Sequence, residues 1–250
     1  MIPHLNGAAT LLRRRLHTPP PSLAIRKFLI EMFCYFFSIT ALTHGPSLAF
    51  HDSSHIFDFP GLNTYLQNGT VLGTSQEAFA AVFQLARYLS QSQSDRDPES
   101  PTLLTTAQAL QTSRPPFQTH PSMSPGTLND GVTFELHRLA CLIHLTQVTS
   151  PTTPTLAPSI QAMVASFIAY LAALPLESPS DGFLCWPLVI VGVHAVDRLH
   201  QIAIAARLKA IYNRFRSEIF SRNLAFLKGW WRGGRGAGGG GVGEYPVLLA

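Results

Sequence analysis

The chain has 250 residues, of which 46% are hydrophobic and only 13% charged, with a formal net charge of +4. The charged share is about half that of an ordinary soluble domain, which excludes a highly charged disordered chain and requires most segments to find a packed interior. The length is enough for one large domain or two small ones with a sizeable core.

The N-terminal stretch MIPHLNGAATLLRRRLH does not read as a secretory signal, because its arginines follow the apolar residues and no apolar core comes after them. Its spacing predicts a short helix over Leu5–Leu16, with Arg13, Arg14 and Arg15 near the end, where the helix dipole favours cations. Thr18 to Pro21 break it. Residues 22–43 predict a long helix that is apolar nearly all round, hence buried on most faces, ended by Gly45-Pro46. Residues 46–70 read as irregular. A helix over 75–92 follows, with Ser75 as N-cap and Phe79, Val82, Phe83, Ala86 and Leu89 spaced three and four apart.

Residues 90–102 are rich in Ser, Gln, Asp and Pro and read as a loop, and 113–126 as a second one. Between them a short helix is expected over 103–112. A helix over 128–148 places Val132, Leu136, Leu139 and Ile143 on one stripe. After the Pro- and Thr-rich connection 149–158, a helix over 159–174 carries the stripe Ile160, Met163, Val164, Phe167, Leu171 and Leu174. Three more helices are expected at 183–196, 198–215 and 221–232, the first almost wholly apolar and the other two amphipathic and basic. Along these, Leu208, Ile211, Tyr212, Phe215 and Ile219 align, as do Phe220, Leu224, Leu227 and Trp231. Residues 233–243 (GGRGAGGGGVG) read as a disordered Gly-rich segment. The expected architecture is all-α, an array of about eight antiparallel-packed helices with Pro/Ser-rich loops, in a single domain over 1–232 followed by a tail over 233–250.

Charge is concentrated near the C-terminus. Between Arg198 and Arg235 nine Lys or Arg meet one acid, Glu218. Such a stretch fits nucleic acid, an acidic partner, a membrane surface or simply a solvated helix face. The apolar runs 28–42 and 183–196 are too short and too interrupted (by Glu31, and by Pro187, Gly192 and His194) for a spanning helix.

Candidate chemistry is sparse. Cys34, Cys141 and Cys185 each sit in an apolar segment with no C-x-x-C pair, so buried reduced thiols are expected rather than a zinc or redox site. His44, His51, Asp52 and His55 are the densest set of potential metal ligands, but their spacing matches no metal motif. His137, Cys141 and His144 fall at i, i+4 and i+7, on one face of the 128–148 helix, beside its apolar stripe, where packing is expected rather than ligation. There is no G-x-S-x-G, no P-loop and no pair of carboxylates for acid–base work. Trp230, Trp231, Arg232 and Arg235 with nearby glycines offer a weak arginine–glycine signal for RNA stacking, against which stands a tryptophan pair in a core or interface.

Five segments in order resemble the regulatory domain of fungal zinc-cluster transcription factors, the fungal-specific transcription factor domain. His4 to Ala8 followed by Leu11-Leu12 resembles the family's HL-x-GA…LL helix. Phe28 to Phe50 resembles its L…F.Y.D…ALT.G helix, with Phe37 near the place where many members keep an acid. Val71 to Glu77 and then Phe79 to Leu89 resemble its LLG-x-S…LF..I…LA element. Cys185-Trp186-Pro187-Leu188 through Ala195-Val196-Asp197 resembles its WPLFIAG.EA.D helix, and Leu208, Asn223, Leu224 and Trp231 fall as in its RL…N…AL..L…W ending. The six-cysteine cluster and basic linker that bind DNA in that family would precede residue 1 and have no counterpart in the sequence.

The resemblance implies an all-α nuclear regulatory domain without enzymatic chemistry. No catalytic residue, cofactor or metal site is expected. The implied role is that of a transcription-regulator-like protein acting through protein contacts, with a full-length zinc-cluster regulator or a second copy as partner. Specific DNA binding of its own and membrane insertion are not expected. A helical binding module for a small apolar metabolite, lined by the aromatic 28–42 segment, is the alternative, and a small-molecule effector is compatible with both readings. An unrecognised helical enzyme would have to use His51, Asp52, His55 and His137.

Overall fold

The computed structural model describes residues 23–44, 101–112, 125–150 and 155–233, and single helical positions at 7, 8, 10, 11, 81 and 84. The predicted helices over 5–16 and 75–92, the segment 46–70 and the Gly-rich tail lie largely or wholly outside the described residues. Within them the protein is all-α, and no strand occurs among the described residues. The helices are α1 (Leu23–His44), α2 (Pro101–Thr112), α3 (Pro125–Thr149), α4 (Pro158–Ala173), α5 (Cys185–His194), α6 (Arg198–Phe215) and α7 (Glu218–Arg232), with a 3-10 turn at Pro179–Phe183 before α5.

Proline sets several of the starts. α2 and α3 begin at Pro101 and Pro125, inside segments expected to be loops, and α4 begins at Pro158. A proline at the first helical position loses no bond, because the first N–H groups of a helix have no internal acceptor, and its φ is already helical. The same reasoning admits Pro187, at the third position of α5. The expected single helix over 183–196 is instead two pieces. Ser178 Oγ accepts from Ser180 N at 3.3 Å, Pro179 fixes the turn that follows, and Leu184 separates this turn from α5. At the other end, α7 starts at Glu218 rather than 221. Arg216 adopts a left-handed φ of 54° that ends α6, and Ser217 is extended before Glu218 enters the first turn of α7.

α5 is the central element. Every residue from Cys185 to His194 is buried, and it packs against α3, α4, α6 and α7. α3 also packs against α2 and α4. α6 and α7, joined by two residues, fold back on each other. The α4 stripe is as expected: Ile160, Val164, Phe167 and Leu171 are buried. Each such side chain contributes about 1.5–3 kcal/mol by leaving water.

One close approach explains a glycine. A Cβ on Gly192 would stand 2.7 Å from Leu227 Cδ1 and 2.9 Å from Cδ2, so the absence of a side chain lets α7 settle on α5. A buried ion pair locks α6 to the segment before α5. Arg207 Nε and Nη2 donate to Asp181 Oδ1 at 3.1 and 2.7 Å, Nη1 donates to Leu174 O at 3.0 Å, and Nη2 also to Pro175 O at 2.8 Å. Burial pushes the Asp181 carboxyl up, and Arg207, then Arg214, pull against that. A second tie joins α2 to α3: Arg138 forks onto Glu135 and donates through Nη1 to Leu110 O at 3.0 Å.

Candidate functional site

The residues with chemistry to offer go inside. His137, Cys141 and His144 are all buried on α3. His137 Nδ1 lies 2.9 Å from Thr133 O and Nε2 3.2 Å from Phe183 O, an oxygen that also accepts from the Tyr35 hydroxyl at 3.2 Å. Burial lowers the His137 pKa, so the ring is neutral and donates to only one of the two carbonyls. Burial, with His194 as a second cause, brings His144 down to about 3. Cys34 and Cys185 are pushed up to about 12 by burial, and Cys141 further still, so none is a thiolate at neutral pH. Cys185 instead accepts from Asn223 Nδ2 at 3.0 Å, a bond that fixes α7 to the start of α5. Among the described residues no three His, Cys, Asp or Glu come together as metal ligands. His51, Asp52 and His55 lie outside the described residues. No described helix is long and apolar enough to cross a membrane.

The far end of α5 accounts for the tryptophan pair. The last carbonyls of a helix have no partner within it, and in a buried helix water cannot supply one. Here four side chains donate, at Gly192 O in addition to the Ala195 N–H. Trp231 Nε1 donates to Gly192 O at 2.8 Å, Trp230 Nε1 to Val193 O at 3.1 Å, Gln161 Nε2 to His194 O at 2.9 Å and Gln201 Nε2 to Ala195 O at 3.0 Å. Three helices thus converge on one helix end. Trp231 is half-buried and serves this contact, while one side of it lines a surface groove.

That groove, of about 380 Å3, runs between the first half of α6 and the last turns of α7. α6 contributes Arg198, Gln201, Ile202 and Ala205, the i, i+3, i+4, i+7 stripe of one face. α7 contributes Lys228, Trp231 and Arg232 at i, i+3 and i+4. Ile202 is 54% exposed although it forms part of the floor. Arg198, Lys228 and Arg232 are exposed and form no ion pair among the described residues. The basic C-terminal stretch therefore divides: Arg207 is internal, Arg214 is tied to Ser178 O at 2.9 Å and Arg216 lies over the Tyr212 ring, whereas these three cations surround an apolar floor.

Residues 1–239 match the fungal specific transcription factor domain. The chain belongs to that family. It is a family of transcription regulators, not one of enzymes, and the transcription-regulator-like function read from the sequence stands at that level. No curated protein and no solved structure matches the chain. Membership gives the observed geometry a frame: the WPL-type segment is the buried central helix α5, and the tryptophan of the ending caps it.

Sequence reading singled out His137, Cys141, His144, Trp230, Trp231 and Arg232, but not Asp181, Arg198 or Lys228. The signal for Arg198 and Lys228 was the excess of basic residues, and their meeting with Arg232 depends on α6 and α7 lying side by side.

Proposed function

We propose that this chain regulates transcription in the nucleus through protein contacts, with a zinc-cluster regulator or a second copy as partner, and that it performs no catalysis. One observation carries this reading. His137, His144 and His194 and the described thiols are buried, while three cations without an ion pair among the described residues, Arg198, Lys228 and Arg232, meet the exposed Ile202 on an outer groove. Bond-making needs a reactive group that substrate can reach; docking needs an accessible surface with apolar area and charge, and the latter is the arrangement present.

Titration of labelled duplexes of randomised sequence with the purified chain tests it. The reading predicts only salt-sensitive, sequence-independent binding, weakening steeply as salt rises. Selection of a defined sequence bound tightly at physiological salt, with no partner added, would overturn action through protein contacts.

A further inference from the structure

We infer that the α6–α7 groove is a docking site for an acidic amphipathic segment of a partner protein, an inference that rests on the protein-contact reading above. The groove offers two features together. Its floor is apolar, from Ile202, Ala205 and the flank of Trp231, and its rim is cationic on both sides, with Arg198 on α6 and Lys228 and Arg232 on α7. A helix carrying apolar side chains on one stripe and carboxylates beside it complements both.

The cations need a reason beyond helix stability, and one of them has none in the fold. Lys228 and Arg232 stand in the last turns of α7, where the helix dipole favours positive charge. Arg198 stands in the first turn of α6, where the dipole opposes it. Asp197 beside it spends Oδ1 on the Leu199 N–H at 2.7 Å and serves as the N-cap. The charge on Arg198 thus works against its own helix, adds to the positive end of that helix, and faces the groove. An incoming carboxylate relieves this. Ile202, more than half exposed beside it, gains burial in the same event.

The floor distinguishes the occupant from nucleic acid. A phosphate backbone uses the cations but not an aliphatic floor. Beside Trp231 and Gln201, the lining between the cations is aliphatic, from Ile202 and Ala205, which offers burial to an apolar side chain rather than to a phosphate.

Fluorescence anisotropy with three probes tests the inference on the full chain. The first probe is a labelled helical peptide with Leu at i, i+3, i+4 and i+7 and Glu or Asp flanking them; the second replaces its acids by Gln and Asn; the third is oligo(U). The acidic peptide should bind and the neutral one at least about tenfold more weakly, a factor that corresponds to about 1.4 kcal/mol. Arg198→Glu/Lys228→Glu should weaken the acidic peptide by about tenfold or more, and Ile202→Asn should weaken both peptides. Arg198→Glu alone is the informative variant: it removes a dipole conflict, so thermal stability should hold or rise while peptide binding falls. Equal binding of both peptides, tighter binding of oligo(U), or indifference to Arg198→Glu/Lys228→Glu would overturn the inference. So would self-association that the same substitutions abolish without any peptide binding, which would give the groove to a second copy. Failure here leaves the duplex titration, and with it the protein-contact reading, intact; a sequence-specific duplex complex would remove that reading while the peptide titration still decides the groove.

Discussion

Replacing Arg207 by Met should be among the most damaging single changes available. The guanidinium is 5% exposed and makes four hydrogen bonds, two to Asp181 Oδ1 and one each to the carbonyls of Leu174 and Pro175. Met fills similar volume, so the loss is electrostatic. It leaves the buried Asp181 carboxylate with Arg214 at 3.6 Å as its remaining cationic neighbour, and two carbonyls without these donors. Removing one partner of a buried pair destabilises by about 3–5 kcal/mol. For a chain of this length that corresponds to a fall in Tm of about 10 °C. Urea unfolding followed by tryptophan fluorescence and far-UV circular dichroism measures it. Arg207→Lys should lie between wild type and Arg207→Met, because an ammonium keeps the charge but cannot reproduce the fork. Adding Asp181→Asn to Arg207→Met should destabilise by less than the sum of the two single changes, since the orphaned charge is gone. If Arg207→Met stays within about 1 kcal/mol of wild type, the pair does not hold α6 to the Pro179–Phe183 turn as described.

Gly192→Ala should destabilise by about 1–2 kcal/mol despite alanine's better helix propensity, because its methyl meets Leu227 at 2.7 Å, and Leu227→Val should recover part of the loss; additivity of the two in urea unfolding would contradict the close approach. His144 is held neutral in the fold down to about 3 but titrates near 6.5 when unfolded, so the unfolded chain binds the extra proton between those values. Stability is then complete above pH 6.5 and falls as pH drops through this window, by about 1.4 kcal/mol per pH unit for this group, and His144→Gln should reduce proton uptake on unfolding near pH 5 by about one. An unchanged slope in that variant would refute the assignment. The three cysteines should resist a thiol reagent at about pH 8 in the folded protein and all react in concentrated guanidinium; fast labelling of the native chain would contradict their burial.

How much was legible in advance follows from exposure. α4 was read closely because it has a wet face: Ala165, Ser166 and Ala169 alternate with its buried stripe and leave a clear 3.6-residue period. α5 shows no period because it has no wet face, so its extent was taken from the apolar run, and the separate turn at Pro179–Phe183 was merged into it or missed. The junction of α6 and α7 was blurred for another reason. Phe215 and Ile219 keep helical spacing across it, and the left-handed residue that breaks the chain is Arg216, not a glycine that would announce it. The tryptophan pair was visible but its purpose was not, since its acceptors are 37 and 39 residues away. The basic excess was visible too. Which cations are structural, such as Arg207, and which remain for a partner depends on contacts that no local pattern encodes.

The most direct measurement brings the chain to a promoter. Fused to an unrelated DNA-binding domain in fungal cells, it should change transcription of a reporter bearing that domain's sites, whereas the DNA-binding domain alone should not. A wild-type fusion that is folded, nuclear and bound at the promoter yet leaves transcription at the level of the DNA-binding domain alone would contradict a regulatory role.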